Sequence, residues 1–171
     1  MKKEINLQKI FELAFKNHEK KNFYEAKNYY NQILEIEPNH FQSLALLGAL
    51  FLQIKEFDLA KPLLEKVVQI DPNNLDANNN LGIIFKELGE SKKAIKFYEK
   101  AIEINPNYIH AKINLGIAHQ DLGDFKKAVS SYEKAIEINP NYAETHNNLG
   151  ALFQDLGDFK KAVSSYEKAI E

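Results

Sequence analysis

Proline and glycine recur in this sequence at a fixed interval of 34 residues, and that interval constrains the fold more than any other feature. Four of the five prolines and all seven glycines fall into such series. The series are Pro38, Pro72, Pro106, Pro140; Gly48, Gly82, Gly116, Gly150; and Gly89, Gly123, Gly157. Residues 120–137 recur without change as residues 154–171. A strict period of this length is typical of a solenoid, in which each unit buries its apolar face against its neighbours.

Each unit contains two stretches with the apolar spacing of an α-helix. Residues 81–88 and 95–102 both place apolar side chains at i, i+3 and i+7. Gly89 lies between them and can end the first helix in a left-handed conformation without a Cβ penalty. Pro106 ends the second helix, because the residue before a proline is pushed out of the α region. The sequence therefore predicts an all-α array of hairpins, each made of a helix A and a helix B.

The framework residues of the repeat resemble one known family. When the proline is placed at position 32, the units span residues 7–40, 41–74, 75–108, 109–142 and an incomplete 143–171. Their pattern L-G-x2-(F/Y)…A-x3-Y-x2-A…P resembles the tetratricopeptide repeat over nearly the whole chain. The resemblance implies an α-solenoid of antiparallel helix hairpins, coiled into a right-handed superhelix with the A helices lining a concave groove.

The units at the start of the chain depart from this pattern. The first has Ala14 in place of the position-8 glycine and Asn17 in place of the position-11 aromatic residue, as expected of an end unit. In the second repeat Pro62 falls inside helix B, where it removes one backbone hydrogen bond. The sequence predicts that this helix begins at Asp58, used as its N-cap.

The resemblance implies that this chain binds a protein or peptide in the groove. Asparagine side chains complement a peptide unit, so a repeated asparagine could hold an extended backbone, although the same residues could simply face solvent. The polar groove residues expected are Asn79, Asn80, Asn114, Asn147, Asn148, Gln120, Asp121, Gln154 and Asp155. Taken singly, the last four are better explained by a solvated face.

The groove is expected to be apolar in the N-terminal half. Its residues there are Phe11, Phe15, Leu46 and Leu52, and exposed apolar patches usually mark interaction surfaces. Alternatively, the first helix and residues 1–6 fold over this patch and cover it. An open patch would accept the apolar side chains of a ligand whose backbone contacts the asparagines.

Composition argues against catalysis and against several classes of partner. There is no cysteine and no arginine, and the five histidines form no metal-binding spacing, so no metal site or cofactor is expected. The 22 lysines balance 24 acidic residues, which gives no electrostatic reason to bind nucleic acid. No apolar run is long enough for membrane insertion or a secretory signal. The sequence predicts a cytoplasmic protein that is not an enzyme on its own.

The last unit suggests two further hypotheses. Val163, Tyr166 and Ile170 lie on a helix B that would normally pack against a following helix A. Either the chain is part of a longer protein, as in a recognition arm of a glycosyltransferase- or sulfotransferase-like enzyme, or two copies associate through this face as a structural scaffold. The sequence favours the longer protein.

Overall fold

The computed structural model describes residues 6–170 of the chain, and this part folds into ten α-helices without a strand. In chain order they are α1 (Leu7–Glu19), α2 (Phe23–Ile36), α3 (Phe41–Gln53), α4 (Phe57–Ile70), α5 (Leu75–Glu87), α6 (Ser91–Ile104), α7 (Ile109–Asp121), α8 (Phe125–Ile138), α9 (Ala143–Asp155) and α10 (Phe159–Ile170). Odd-numbered helices are the A helices of the repeat and even-numbered ones the B helices. The prediction of an all-α array of helix hairpins is confirmed.

The helices pack into two compact units, Met1–Asn80 and Leu81–Glu171, with the boundary inside α5. In the first unit α1 packs on α2, α2 on α3, and α3 on α4. In the second unit each helix from α6 to α10 packs on the next one in the chain. Neighbouring hairpins within a unit therefore share one continuous hydrophobic core, which is the way repeat proteins bury their apolar faces.

The turn between helix A and helix B needs a left-handed residue in every hairpin. Gly89, Gly123 and Gly157 adopt it with φ between 74° and 76°. In the first two hairpins the same place is held by Lys21 (φ 59°) and Lys55 (φ 62°). A residue with a Cβ costs roughly 1 kcal/mol more than glycine in this conformation. The turn geometry is thus imposed by the hairpin packing even where no glycine marks it.

The last three turns between hairpins are held by the side chain before the proline. Asp71, Asn105 and Asn139 each accept a hydrogen bond from the backbone N–H two residues later, over 3.0–3.2 Å. This local side-chain bond competes with helix continuation and fixes the turn. The Asn/Asp-Pro-Asn sequence therefore ends helix B in two ways: the side-chain hydrogen bond competes with the helix, and the proline disfavours the α conformation of the residue before it.

Helix α4 differs from its predicted start. It begins at Phe57, with Glu56 as N-cap, so Asp58 lies in the first turn and the prediction that Asp58 caps this helix is wrong. Pro62 lies inside the helix without ending it. An acidic residue in the first turn is still favourable, because it interacts with the positive end of the helix dipole.

Glycine at position 8 allows helix A to approach the aromatic ring of helix B. A Cβ built on Gly116 would lie 2.5 Å from Cε1 of Tyr132, and one built on Gly82 would lie 2.4 Å from Cε1 of Tyr98. Both rings are fully buried. The second-unit core around Tyr132 contains Ile113, Ala128, Ala135, Leu149 and Leu152.

Positions 3 and 10 of helix A are buried in every repeat except the first. Position 10 is held by Leu50, Ile84, Ala118 and Leu152, each with 0% exposure. In α1 the same two positions are Lys9 and Lys16, and both are exposed. Charged side chains at these positions give α1 a polar face where the other A helices are buried.

Candidate functional site

A cavity of about 240 Å³ opens between α3 and the start of α5, wholly within the first unit. Ala45, Leu46 and Ala49 of α3 line one side, and Leu64 of α4 contributes to the apolar part. The other side is polar and consists of Asn74, Asp76 and Asn80, with Ala77 between them. Two residues predicted to bind a ligand, Leu46 and Asn80, therefore line the same cavity.

Small side chains create this space. Position 9 of helix A is Ala49 here, whereas α5 and α7 carry Ile83 and Ile117 at that position. An isoleucine at position 49 would project additional carbon atoms into the cavity. The sequence signal for the cavity is the pair of alanines at positions 5 and 9 of α3, and the asparagine pattern alone did not reveal it.

The asparagines around α5 have different roles. Asn74 caps the helix, because its Oδ1 accepts a hydrogen bond from the N–H of Ala77 over 2.9 Å. Asn78 donates from Nδ2 to the carbonyl oxygens of Pro72 (3.1 Å) and Asn74 (2.8 Å), which holds the turn before α5. Asn79 is only 5% exposed and offers little surface to a ligand. Asn80 is half-buried on the cavity wall.

The other predicted polar residues lie in the second unit. Asn114 and Asn148 are half-buried, and Asn147 is exposed. Gln120 is engaged on both sides, accepting from the hydroxyl of Tyr132 (3.3 Å) and donating to Asp155 (3.3 Å). Gln154 accepts a hydrogen bond from the hydroxyl of Tyr166, and Asp121 accepts one from the hydroxyl of Ser91. These four residues therefore already form bonds within the protein.

The predicted apolar residues near the N-terminus are not equally accessible. The ring of Phe11 packs against Tyr30 (6.2 Å between centroids) and His40 (5.6 Å), so it belongs largely to the packing of the first unit. Phe15 is 43% exposed and Leu52 is half-buried. Of the segment expected to cover this patch, residues 1–5 lie outside the described part of the chain.

A hydrogen bond between positions 12 and 24 links helix A to helix B, and sequence reasoning missed it. Tyr132 bonds to Gln120, Tyr166 to Gln154, and Tyr30 lies 3.4 Å from Nδ1 of His18. In the third repeat position 12 is Lys86, and the hydroxyl of Tyr98 is buried without a hydrogen-bond partner. Burial raises the pKa of Tyr30 to about 12 and raises the pKa values of Tyr98 and Tyr132 as well.

This difference predicts opposite effects for the same substitution. Tyr132→Phe is expected to lower the free energy of unfolding by about 1 kcal/mol, because it removes a hydrogen bond and leaves Gln120 with one partner fewer. Tyr98→Phe is expected to be neutral or stabilising, because it removes a buried hydroxyl that has no partner. Urea unfolding of both variants measures the difference, and equal losses would contradict it.

His119 occupies position 11 of α7, a core position, and is 8% exposed. Burial lowers the pKa of its imidazole, with Lys127 adding to the effect and Asp124 opposing it. Within residues 6–170 no group of three or more histidine and acidic side chains could hold a metal ion. The same part of the chain has no helix that is both long enough and apolar enough to cross a membrane.

Val163 and Ile170 on α10 are 55% and 87% exposed, while Tyr166 is half-buried. The equivalent residues of α8, which packs on α9, are less exposed: Val129 and Ile136 are half-buried and Tyr132 is buried. Association of two copies through α10 stays a prediction.

Comparison with known proteins identifies the repeat. Profiles described as tetratricopeptide repeat match residues 11–40, 41–74, 75–108 and 145–171, and one described as TPR repeat matches residues 121–157. The chain belongs to the tetratricopeptide repeat family. The predicted all-α tetratricopeptide solenoid is thereby confirmed. A comparison with curated proteins gives no match.

Solved structures support the same fold. A MamA protein is 27% identical with a TM-score of 0.86, covering 96% of this chain and 90% of its own. MamA from Desulfovibrio magneticus is 20% identical with a TM-score of 0.89, covering 96% and 93%. YrrB, described as a TPR protein with an unusual peptide-binding site, is 22% identical with a TM-score of 0.78, covering 94% and 83%. The tetratricopeptide fold makes this chain a protein-interaction scaffold.

Proposed function

We propose that this tetratricopeptide protein binds a peptide segment of a partner at the cavity between α3 and α5. The observation that supports the proposal is the combination on one cavity of an apolar side, formed by Leu46 and two alanines, and a polar side that includes Asn80. Ligand sites in proteins commonly combine an apolar lining with a few placed polar groups. One apolar side chain of the peptide fills the space beside Leu46.

Asn80 contributes a donor and an acceptor to the peptide backbone. Its carboxamide is half-buried, whereas those of Asn74 and Asn78 are used within the turn before α5. An amide can bond a peptide unit in both directions without reading the side chain, so recognition of residue type falls on the apolar part. In the second unit, Asn114 and Asn148 hold the same repeat position as Asn80.

The sharpest test fills the cavity without changing polarity. Ala49→Ile introduces at position 9 the residue that α5 and α7 already carry, so the variant should fold. Peptides are first selected on the wild-type protein from a random library displayed on phage, and their affinities are then measured calorimetrically. Ala49→Ile is expected to weaken the selected peptides at least about tenfold, through loss of burial of one apolar side chain.

Two variants complete the design. Ala151→Ile makes the same change at position 9 of the fifth repeat, where the alanine is exposed, and should leave affinity unchanged. Asn80→Ala should weaken binding about five- to tenfold through loss of the backbone contact, with helicity unchanged by circular dichroism. Affinities that are equal for wild type, Ala49→Ile and Asn80→Ala would refute binding at this cavity.

A further inference from the structure

The outer face of helix α4 departs from a pattern that the later B helices share. In repeats three to five, a lysine at position 19 pairs with an acidic residue at position 16. The pairs are Lys93 with Glu90, Lys127 with Asp124 (3.4 Å) and Lys161 with Asp158 (3.0 Å). In α4 the acidic residue is present as Glu56, but position 19 is Leu59, whose side chain is 50% exposed. One B helix therefore presents an apolar residue where three others present an ion-paired lysine.

Leu59 belongs to a second cavity of the first unit, of about 390 Å³, which we call the α2–α4 cavity. Its floor is formed by Leu47 and Phe51 of α3, and one wall by Leu59 and Leu63 of α4. Leu47 and Phe51 are at most 7% exposed, so the floor is part of the hydrophobic core. An apolar side chain entering between the two B helices would extend that core.

The opposite wall of the α2–α4 cavity is polar and cationic. Lys27 and Asn31 of α2 line it. The ammonium of Lys27 lies 5.8 Å from the centroid of the Tyr24 ring, and within residues 6–170 it forms no ion pair with a carboxylate. A lysine beside an apolar cavity complements a ligand that carries a carboxylate next to its apolar group.

A cavity between two B helices of the second unit, lined in part by the same repeat positions, has a different chemistry. Between α6 and α8 the cavity is about 150 Å³, and its walls include Glu99, Lys112 and Lys134. Charged groups of both signs there leave a smaller apolar lining. Leu59 and Leu63 of α4, together with Leu47 and Phe51 of α3, give the α2–α4 cavity its apolar character.

We infer that the α2–α4 cavity is a second docking site, for a partner segment that presents a leucine-like side chain next to a carboxylate. It is separate from the cavity between α3 and α5, because the two share no lining residue. The apolar side chain enters between α2 and α4 and contacts Leu47, Leu59 and Leu63. The carboxylate pairs with Lys27, and Asn31 donates an amide hydrogen to it.

N-acetyl-L-leucine is a small probe that carries both groups, and N-acetyl-L-leucinamide is its neutral control. Methyl NMR of the full chain should show saturable shifts at Leu59 and Leu63 with the acid. The amide is expected to bind about five-fold more weakly, since an exposed ion pair contributes little more than that. Absence of saturable shifts at these leucines, or equal binding of acid and amide, would overturn the inference.

Two substitutions decide whether the assigned residues are responsible. Leu59→Lys restores the pattern of the later repeats, with Glu56 available as its partner, so the fold should persist while binding of the acid is lost. Lys27→Gln should reduce the affinity of the acid to that of the amide. This variant tests the ion pair, whereas Leu59→Lys tests the apolar wall. Leu156→Lys, at an exposed leucine outside the cavity, should change neither the affinity of the acid nor that of the amide. If binding of the acid survives both Leu59→Lys and Lys27→Gln, the site does not exist as described.

Discussion

Gly116→Ala is expected to lower the free energy of unfolding by about 2–3 kcal/mol or more, as overpacking of a dense core does. The added Cβ would lie 2.5 Å from Cε1 and 2.8 Å from Cδ1 of Tyr132, far inside van der Waals contact. The ring cannot move away easily, because it is fully buried in the second-unit core and its hydroxyl bonds to Gln120. Equilibrium unfolding in urea, followed by circular dichroism, measures the loss.

Two other glycines act as matched controls for this substitution. Gly123→Ala meets no atom within 4 Å, so only its φ of 74° opposes alanine, at a cost of about 1 kcal/mol. At Gly150 the opposing ring belongs to Tyr166, which is only half-buried and can shift, so an intermediate loss is expected. A loss for Gly116→Ala no greater than that for Gly123→Ala would contradict the close approach of the helix to the ring.

Leu152→Lys is expected to have the other large effect. Leu152 is fully buried at position 10 of α9, in the core that contains Tyr132 and Ala128. A lysine there would lose the apolar contacts and bury an ammonium without a partner, at a cost of about 3–5 kcal/mol. Because repeats of a solenoid contact only their neighbours, the loss should unfold the α9–α10 hairpin first. Amide hydrogen exchange, resolved by residue, measures which hairpin opens.

The opposite substitution, lysine to leucine at position 10 of α1, provides the control. Lys16 occupies position 10 of α1 and is exposed, so Lys16→Leu should change the free energy of unfolding by less than about 0.5 kcal/mol. Exchanging leucine and lysine at position 10 should therefore change the free energy of unfolding strongly in α9 and only slightly in α1. If Leu152→Lys left exchange in α9 and α10 unchanged, the core assignment of position 10 would be incorrect.

Secondary structure could be predicted closely, because periodicity and helix-ending residues are local signals. The turns at Gly89, Gly123 and Gly157 and the stops before the prolines follow directly from the sequence. The equivalent turns at Lys21 and Lys55 carry no such signal, and there the packing of the hairpin imposes a positive φ. The capping preference of aspartate placed the predicted start of α4 at Asp58, whereas the helix begins at Phe57 with Glu56 as its N-cap.

The candidate site was predictable only in part. Leu46 and Asn80 were expected to bind a ligand, and both line one cavity, but binding itself stays a prediction. Asn78 and Asn79 precede Asn80 in sequence and are buried, because successive residues of a helix point about 100° apart and meet different neighbours. Gln120 was expected to face the groove, yet its two hydrogen bonds depend on helices α8 and α9, which no local pattern encodes.

The sequence by itself determined the repeat unit, the all-α fold and the positions where glycine and proline end the helices, because each depends on residues within one 34-residue period. The tertiary structure decided which of several similar side chains are buried, paired or accessible. Tyr98 and Tyr132 illustrate the distinction: both are fully buried at position 24, but only Tyr132 finds a partner across the hairpin. The physical reason is that desolvation and hydrogen bonding depend on the neighbouring helices, which folding alone brings into contact.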